Sequence, residues 1–338
     1  MANKYTGKRI FYYDVLRVIA ILAIILCHTS RIFGKFTYSS LKLAIPGFCD
    51  IIGLVGVPLF FMLSGALLLN RTYDLGEFFK KRFSRILYPA IFWIAITCVL
   101  FYFIFTGDSI IKLILGRNIY TWFIWVMIGI YLILPVTNSF VKEYGLRGCE
   151  YFLLIWLVTG ILKTIGYYPF ERLELSYFAG FLGYVVLGYY LANKEFKMHN
   201  LVLSVLGFGL FIIFTVMNMM IKYNNLGIES GYLSIFVMFA SAGVFLMVRG
   251  LAGYLEGKSS KIYEKAKNGT FGDFIFWVSA ASYGMYFVNS VVIRFLKLYG
   301  PYKLKMLPFL YIFVVVASLA VVVAVSKVPF LKKFSGMS

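Results

Sequence analysis

Apolar runs of 18 or more residues recur along the whole of this chain, and that recurrence decides its solvent before any other feature does. Each run is long enough to cross a hydrocarbon core of about 30 Å at about 1.5 Å per helical residue. The runs are continuous and do not alternate apolar with polar, so helices rather than barrel strands are the spanning form. Composition agrees: with 61% hydrophobic residues, 14% charged residues and a mean hydropathy of +0.85, the surface of a water-soluble domain would not be covered. The expected fold is all-α, a polytopic bundle of about ten transmembrane helices in a single domain over residues 1–338, with no internal repeat.

Hydropathy places the spans near 11–33, 50–69, 86–106, 120–141, 150–166, 175–192, 201–221, 230–249, 273–297 and 306–326, with longer polar linkers only at 70–85 and 250–272. The first run follows Lys8 and Arg9 as a signal peptide would, but Asp14 and Arg17 interrupt it and no small-x-small site follows, which predicts an uncleaved anchor helix. With the N-terminus inside, about 20 Lys and Arg fall in inside segments and about 10 in outside loops, which puts both termini in the cytoplasm. Among the inside residues are Lys4, Lys8 and Arg9, and the group Lys80, Lys81, Arg82 and Arg85. The net charge of +19 follows from the same rule and from anionic headgroups, and no soluble basic domain of the kind that binds nucleic acid is present. The cysteines at 27, 49, 98 and 149 are scattered, with neither a disulfide framework nor metal-ligand spacing.

Ionisable residues inside such spans carry most of the functional information. Asp14 and Arg17 stand three apart on one face of the first span, where they pair or reach the headgroup level. His28 lies eleven residues beyond Arg17, close to three turns and about 16 Å along the same side. Imidazole moves protons near neutral pH; the alternative is a histidine hydrogen-bonded for packing. In the second span Pro58 is expected to kink the helix, and Ser64-Gly65 to let a neighbouring backbone or a ligand come close. Arg82 and Arg85, with Lys81 beside them, read either as a topology signal or as a grip for phosphate. Trp122 and Trp125 read as interface anchors, and Tyr131 as a deeper hydroxyl. Gly180, Gly183 and Gly188 suit close helix packing, Asn289 at membrane depth needs a partner, and His199 falls in a solvated loop.

Taken in order, these segments resemble the acyltransferase 3 family: Asp14-x-x-Arg17 with the Arg-x10-His pattern ending at His28, Pro58-Leu-Phe-Phe-Met-Leu-Ser-Gly65, Lys81-Arg-Phe-Ser-Arg-Ile-Leu-Tyr-Pro89, Trp122-Phe-Ile-Trp125 with Gly129–Pro135, and the Gly183–Leu191 and Ser282–Asn289 segments. The likeness is to the stand-alone form that O-acetylates surface polysaccharides and lipid-linked glycans. It implies a multi-pass protein of the cell (plasma or inner) membrane, a cytoplasmic acyl-CoA donor such as acetyl-CoA, and a glycan or lipid-linked saccharide acceptor; no metal is expected, since carboxylates and histidines do not cluster along the chain. Many relatives carry a histidine where this chain has Asn289, and an amide does not titrate in that range.

Acyl transfer from a thioester to a hydroxyl needs a base, stabilisation of the oxyanion and a hold on the donor. The base falls to His28, with Asp14 and Arg17 fixing the charge pattern of its helix. Arg82, Arg85 and Lys81 fall to the coenzyme A phosphates, and Ser64, Trp125, Tyr131 and Asn289 to the acceptor or the oxyanion. Direct transfer and an acetyl-histidine intermediate both stay open. The rival class is a transporter or flippase for a lipid-linked saccharide.

Overall fold

The computed structural model describes residues 9–33, 41–102, 122–167, 175–258 and 260–337. Lys4 and Lys8 of the charge count, the end of the span expected at 86–106 and the start of that expected at 120–141 lie outside them. The described residues form α1 (Phe11–Ser30), α2 (Leu41–Gly53), α3 (Gly56–Leu68), α4 (Leu75–Tyr102), α5 (Trp122–Thr164), α6 (Leu182–Asn193), α7 (Asn200–Tyr223), α8 (Ile235–Lys258), α9 (Ser260–Asn268), α10 (Thr270–Leu298) and α11 (Leu307–Lys327). Among them are 8 stretches long and apolar enough to cross a membrane, and the chain is an all-α polytopic bundle. Nine of the ten expected spans map onto these eight stretches, and the structure departs from expectation in three places.

The first concerns α5, whose 43 residues would reach about 65 Å at 1.5 Å each, twice the hydrocarbon core. Gly145 breaks it with φ 57 and ψ −142, backbone that a side chain disfavours. Trp122 at one end and Lys163 near the other line the same cleft, so the chain reverses at Gly145 and the two expected spans are the legs of a hairpin.

The second concerns the span expected at 175–192, which is a 3-10 turn at Leu175–Ala179 followed by the 12-residue α6, about 18 Å long. Hydropathy does not separate a helix buried in protein from one bathed in lipid, and α6 is the former. It packs on α3 through glycines: a Cβ on Gly65 would stand 1.7 Å from the Val185 carbonyl oxygen, and one on Gly188 would stand 1.9 Å from that of Met62. Gly183 lies under the Trp156 ring in the same way, whereas Gly180 faces open space and lends its carbonyl to Trp156 Nε1 at 3.0 Å. The guanidinium of Arg249 on α8 donates to the carbonyls of Leu191 and Lys194, closing the C-terminal end of α6, where helix carbonyls lack partners of their own.

The third concerns Pro58. The second apolar stretch breaks at Leu54–Val55, ahead of the proline, so Pro58 is the third residue of α3. In a first turn its missing N–H costs nothing and it causes no kink. Both long linkers also prove largely helical, taken up by the start of α4 and by α8 and α9. His199 is exposed, as expected, and caps α7 by accepting from the Leu201 N–H.

Burial sorts the helices. The α1, α2–α3 and α10 stretches are mostly enclosed by protein, whereas α7 and α11 present most of their apolar surface outward, where lipid would meet it. α1 is the axis of the bundle, touching α2, α3, α8, α10 and α11. It runs parallel to α10, and polar pairs tie the two helices at both ends: Asp14 to Ser279 and His28 to Asn289.

Candidate active site

Near the start of α1, Asp14 is buried and accepts two hydrogen bonds, with a second cation close by. Arg9 Nε approaches Oδ2 at 2.5 Å, the Ser279 hydroxyl donates to Oδ1 at 2.7 Å, and Arg17 stands 3.6 Å from Oδ1. A buried carboxylate persists as an anion only with such company. Arg17 also donates to the Ser279 hydroxyl at 3.1 Å, so Asp14 and Ser279 together fix its guanidinium. The expected i,i+3 pairing of Asp14 and Arg17 is present; Arg9 and Ser279 are partners that helical spacing did not reveal.

Held this way, Arg17 lines a cavity of ≈ 180 Å³ between α1, α3, α4, α5 and α10. Arg82 and Arg85 from α4 line it too, with Ser64, Tyr131, Ser282 and Tyr286 carrying neutral hydroxyls and Phe60, Phe123 and Met127 as apolar groups. Three guanidiniums therefore share one cavity whose lining contains no carboxylate. Arg82 Nε is buried and has no hydrogen-bond partner among the described residues. A buried donor left in that state costs about 1–3 kcal/mol. The cationic lining suits an anion, and guanidiniums match the bidentate geometry of phosphate.

The cavity brings together Arg17, Arg82, Arg85, Ser64 and Tyr131 of the residues singled out in the sequence. Lys81 is exposed and takes no part in the lining. Trp125 is 53% exposed and lines no part of it either, so its ring faces out of the bundle, as an interface anchor's would.

His28 is not in the cavity lining but adjoins it. Tyr286, a lining residue, has its ring 6.3 Å from the imidazole and 5.0 Å from Phe123. The imidazole is buried, and its Nδ1 lies 2.8 Å from Oδ1 of the fully buried Asn289. That amide cannot turn: its Nδ2 donates to the carbonyls of Met285 at 2.9 Å and Tyr286 at 2.6 Å, which commits Oδ1 to accepting. Nδ1 of His28 therefore carries the proton in the neutral ring, and the lone pair of imidazole belongs to Nε2. Asn289, expected to touch the acceptor, lines no part of the cavity and is engaged by His28 and its own helix.

One turn beyond His28 lies a cluster that the sequence did not suggest. Asp50 is buried and receives Arg31 Nε at 2.7 Å, Lys222 Nζ at 3.0 Å and the Cys27 thiol at 3.1 Å. It joins α2 and α7 to the end of α1. Among the described residues no three His, Cys, Asp or Glu side chains gather as a metal site would require.

The fold and these side chains define a multi-pass membrane protein with a buried histidine beside an arginine-lined cavity between its helices. The chain belongs to the acyltransferase 3 family: residues 10–327 match the family's acyltransferase domain, so the protein is an acyltransferase. It is similar to the peptidoglycan O-acetyltransferase OatA of Listeria monocytogenes, with 26% identity over 170 residues, which make up 46% of this chain and 24% of that protein. The match thus spans about a quarter of the relative's length. No solved structure matches the chain.

Proposed function

We propose that the protein is an O-acetyltransferase of the cell membrane that takes an acetyl group from cytoplasmic acetyl-CoA and transfers it to a hydroxyl of a surface or lipid-linked glycan. The observation that carries this reading is the adjacency, through Tyr286, of a tautomer-locked histidine and a cavity lined by three arginines. The relative's name makes a cell-wall glycan the first acceptor to test.

In this reading Arg17, Arg82 and Arg85 hold the donor's phosphates. A cavity of ≈ 180 Å³ is smaller than the roughly 300–1,000 Å³ of sites that enclose a small molecule, so it takes part of the donor, with the rest beyond its open side. The pantetheine arm then runs past Phe60, Phe123 and Tyr286 toward His28, over the roughly 16 Å that separate Arg17 from His28 along the helix. Arg17, expected from sequence to fix with Asp14 the charge pattern of the helix that carries His28, belongs in this reading with the phosphate grip, and Asp14 positions it.

His28 Nε2 takes the proton of the acceptor hydroxyl as its oxygen attacks the thioester carbonyl. The tetrahedral oxyanion collapses, the C–S bond breaks, and the leaving thiolate takes the proton back from His28, so the ring ends as it began. Asn289 holds the ring in the tautomer this step requires.

The test is transfer of label from radiolabelled acetyl-CoA to glycan in membrane vesicles. The expected result is base-labile acetyl on the glycan with wild type and loss of transfer in His28→Ala at normal protein level; full activity in that variant removes His28 as the base. Purified protein that leaves acetyl-CoA intact in the presence of glycan would remove acetyl-CoA as the donor.

A further inference from the structure

At the opposite end of α1 from the arginine cavity, a second cleft of ≈ 340 Å³ opens between the two ends of the α5 hairpin and the loop before α8. Three aromatic rings form its wall: Trp122 to Tyr232 at 5.2 Å, Trp122 to Phe181 at 5.6 Å and Phe181 to Tyr232 at 6.4 Å. Lys163 and Glu229 complete it with one charge of each sign. The loop is held on three sides: Glu229 N–H donates to the Thr164 carbonyl at 3.0 Å, Asn218 Nδ2 to that of Ser230 at 3.2 Å, and the Tyr184 hydroxyl to that of Tyr232 at 2.5 Å. The Glu229 carboxylate is itself fixed by the Gly231 N–H at 2.7 Å.

Both walls of this cleft lead to His28. Tyr232 packs against the cluster of Cys27, Leu54 and Val237, and Cys27 is the residue before His28. Trp122 packs on Phe123, which meets Tyr286 at 5.0 Å, and Tyr286 neighbours the imidazole. His28 thus lies between two openings of opposite character, one cationic and one aromatic.

We infer that the Trp122–Tyr232 cleft is a saccharide subsite, in which an acceptor pyranose stacks on the aromatic wall while Lys163 and Glu229 hydrogen-bond its hydroxyls; this rests on the acetyltransferase reading above. A pyranose has an apolar C–H face and a rim of hydroxyls, and a cleft with aromatic faces and a few fixed polar groups matches both. A lipid tail would meet two charges there, and an anion would meet as much negative charge as positive. The arrangement brings donor and acceptor to His28 from opposite ends of the bundle, so that the acceptor need not pass the arginine cavity.

Membrane vesicles of the producing cell hold the full chain, its lipid and the envelope glycan, and the assay follows radiolabelled acetyl from acetyl-CoA into base-labile glycan esters. At saturating acetyl-CoA, Trp122→Ala lowers the initial rate about tenfold or more, the size of effect that truncating an aromatic anchor gives. The acetyl-CoA KM stays within about twofold of wild type, as loss of acceptor binding alone requires. Trp122→Phe restores most of the rate, which a general packing defect would not predict. Should Trp122→Ala reduce the protein in the membrane, Lys163→Ala carries the test with an expected loss of about threefold. Transfer within about twofold of wild type in Trp122→Ala, Tyr232→Ala and Lys163→Ala overturns the subsite, and so does a loss accompanied by a raised acetyl-CoA KM. A wild-type chain that transfers no acetyl overturns the acetyltransferase reading and the subsite with it, whereas active wild type with indifferent cleft variants overturns the subsite alone.

Discussion

The imidazole Nδ1 of His28 and the amide oxygen of Asn289 face each other across 2.8 Å in the interior of the bundle, and both hydrogens of the amide are spent on its own helix. The pair therefore sets which imidazole nitrogen can accept a proton. Asn289→Ala leaves Nδ1–H without that acceptor in a buried site, at a cost of about 1–3 kcal/mol, so the ring loses its preferred tautomer and orientation. Acetyl transfer should fall roughly 10- to 100-fold while the acetyl-CoA KM holds, since nothing in the arginine cavity changes. Initial rates in vesicles with protein level matched by immunoblot check this, and a variant with wild-type rates would show that Asn289 does not position the base.

The arginines make a separate prediction about the donor. Arg17→Ala, Arg82→Ala and Arg85→Ala each remove a guanidinium from one cavity, and a charge-assisted hydrogen bond contributes about 1.5–3 kcal/mol. Each should raise the acetyl-CoA KM by about tenfold or more. Trp125→Ala, on the outer surface, should leave it unchanged. Titrating acetyl-CoA against the four variants separates these outcomes, and an unchanged KM in Arg17→Ala would return Arg17 to a role in holding the helix alone.

What the sequence disclosed and what it withheld follow from how local each feature is. His28 stood out because an ionisable group in an apolar run is costly wherever it sits, Arg82 and Arg85 because cations crowd together just ahead of a span, and the spans were legible because bilayer thickness fixes a minimum length. The cavity was not legible, for it joins Arg17 to Tyr283 through five helices, and Arg17 and His28 share a face of α1 yet serve different surroundings. Asn289 read as a polar group needing a partner, but only the Met285 and Tyr286 carbonyls reveal which way its amide points. Hydropathy also missed that α6 stops after twelve residues, because burial against α3 and immersion in lipid favour the same side chains.

That α3–α6 contact is itself testable. Gly65→Ala and Gly188→Ala each press a methyl into a backbone carbonyl, and backbone cannot swing aside as a long side chain does. The helices must separate, at a cost of about 1–3 kcal/mol or more. Gly129→Ala, which meets nothing within 4 Å, is the matched control. Size-exclusion of fluorescent fusions in detergent, read after a heating series, should show a lowered apparent Tm for the first two and none for the third. Equal profiles for all three would mean that the glycines do not set the packing distance.

The cluster at the far end of α1 gives a last prediction, and its sign follows from charge counting. Asp50 is the acceptor shared by Arg31, Lys222 and the Cys27 thiol, so the group carries a net charge of about +1 with it and about +2 without it. Asp50→Asn keeps the shape but leaves two partly buried cations facing each other, one turn from His28. Removing one partner of a fully buried ion pair costs about 3–5 kcal/mol, and the partial exposure of Arg31 and Lys222 reduces that to roughly 1–3 kcal/mol here. The expected outcome is a lowered Tm that Lys222→Met, introduced into the same variant, partly restores, because it removes the uncompensated charge. A double variant no more stable than Asp50→Asn would mean that Asp50 acts through the shape of the α1–α2 turn instead of through charge.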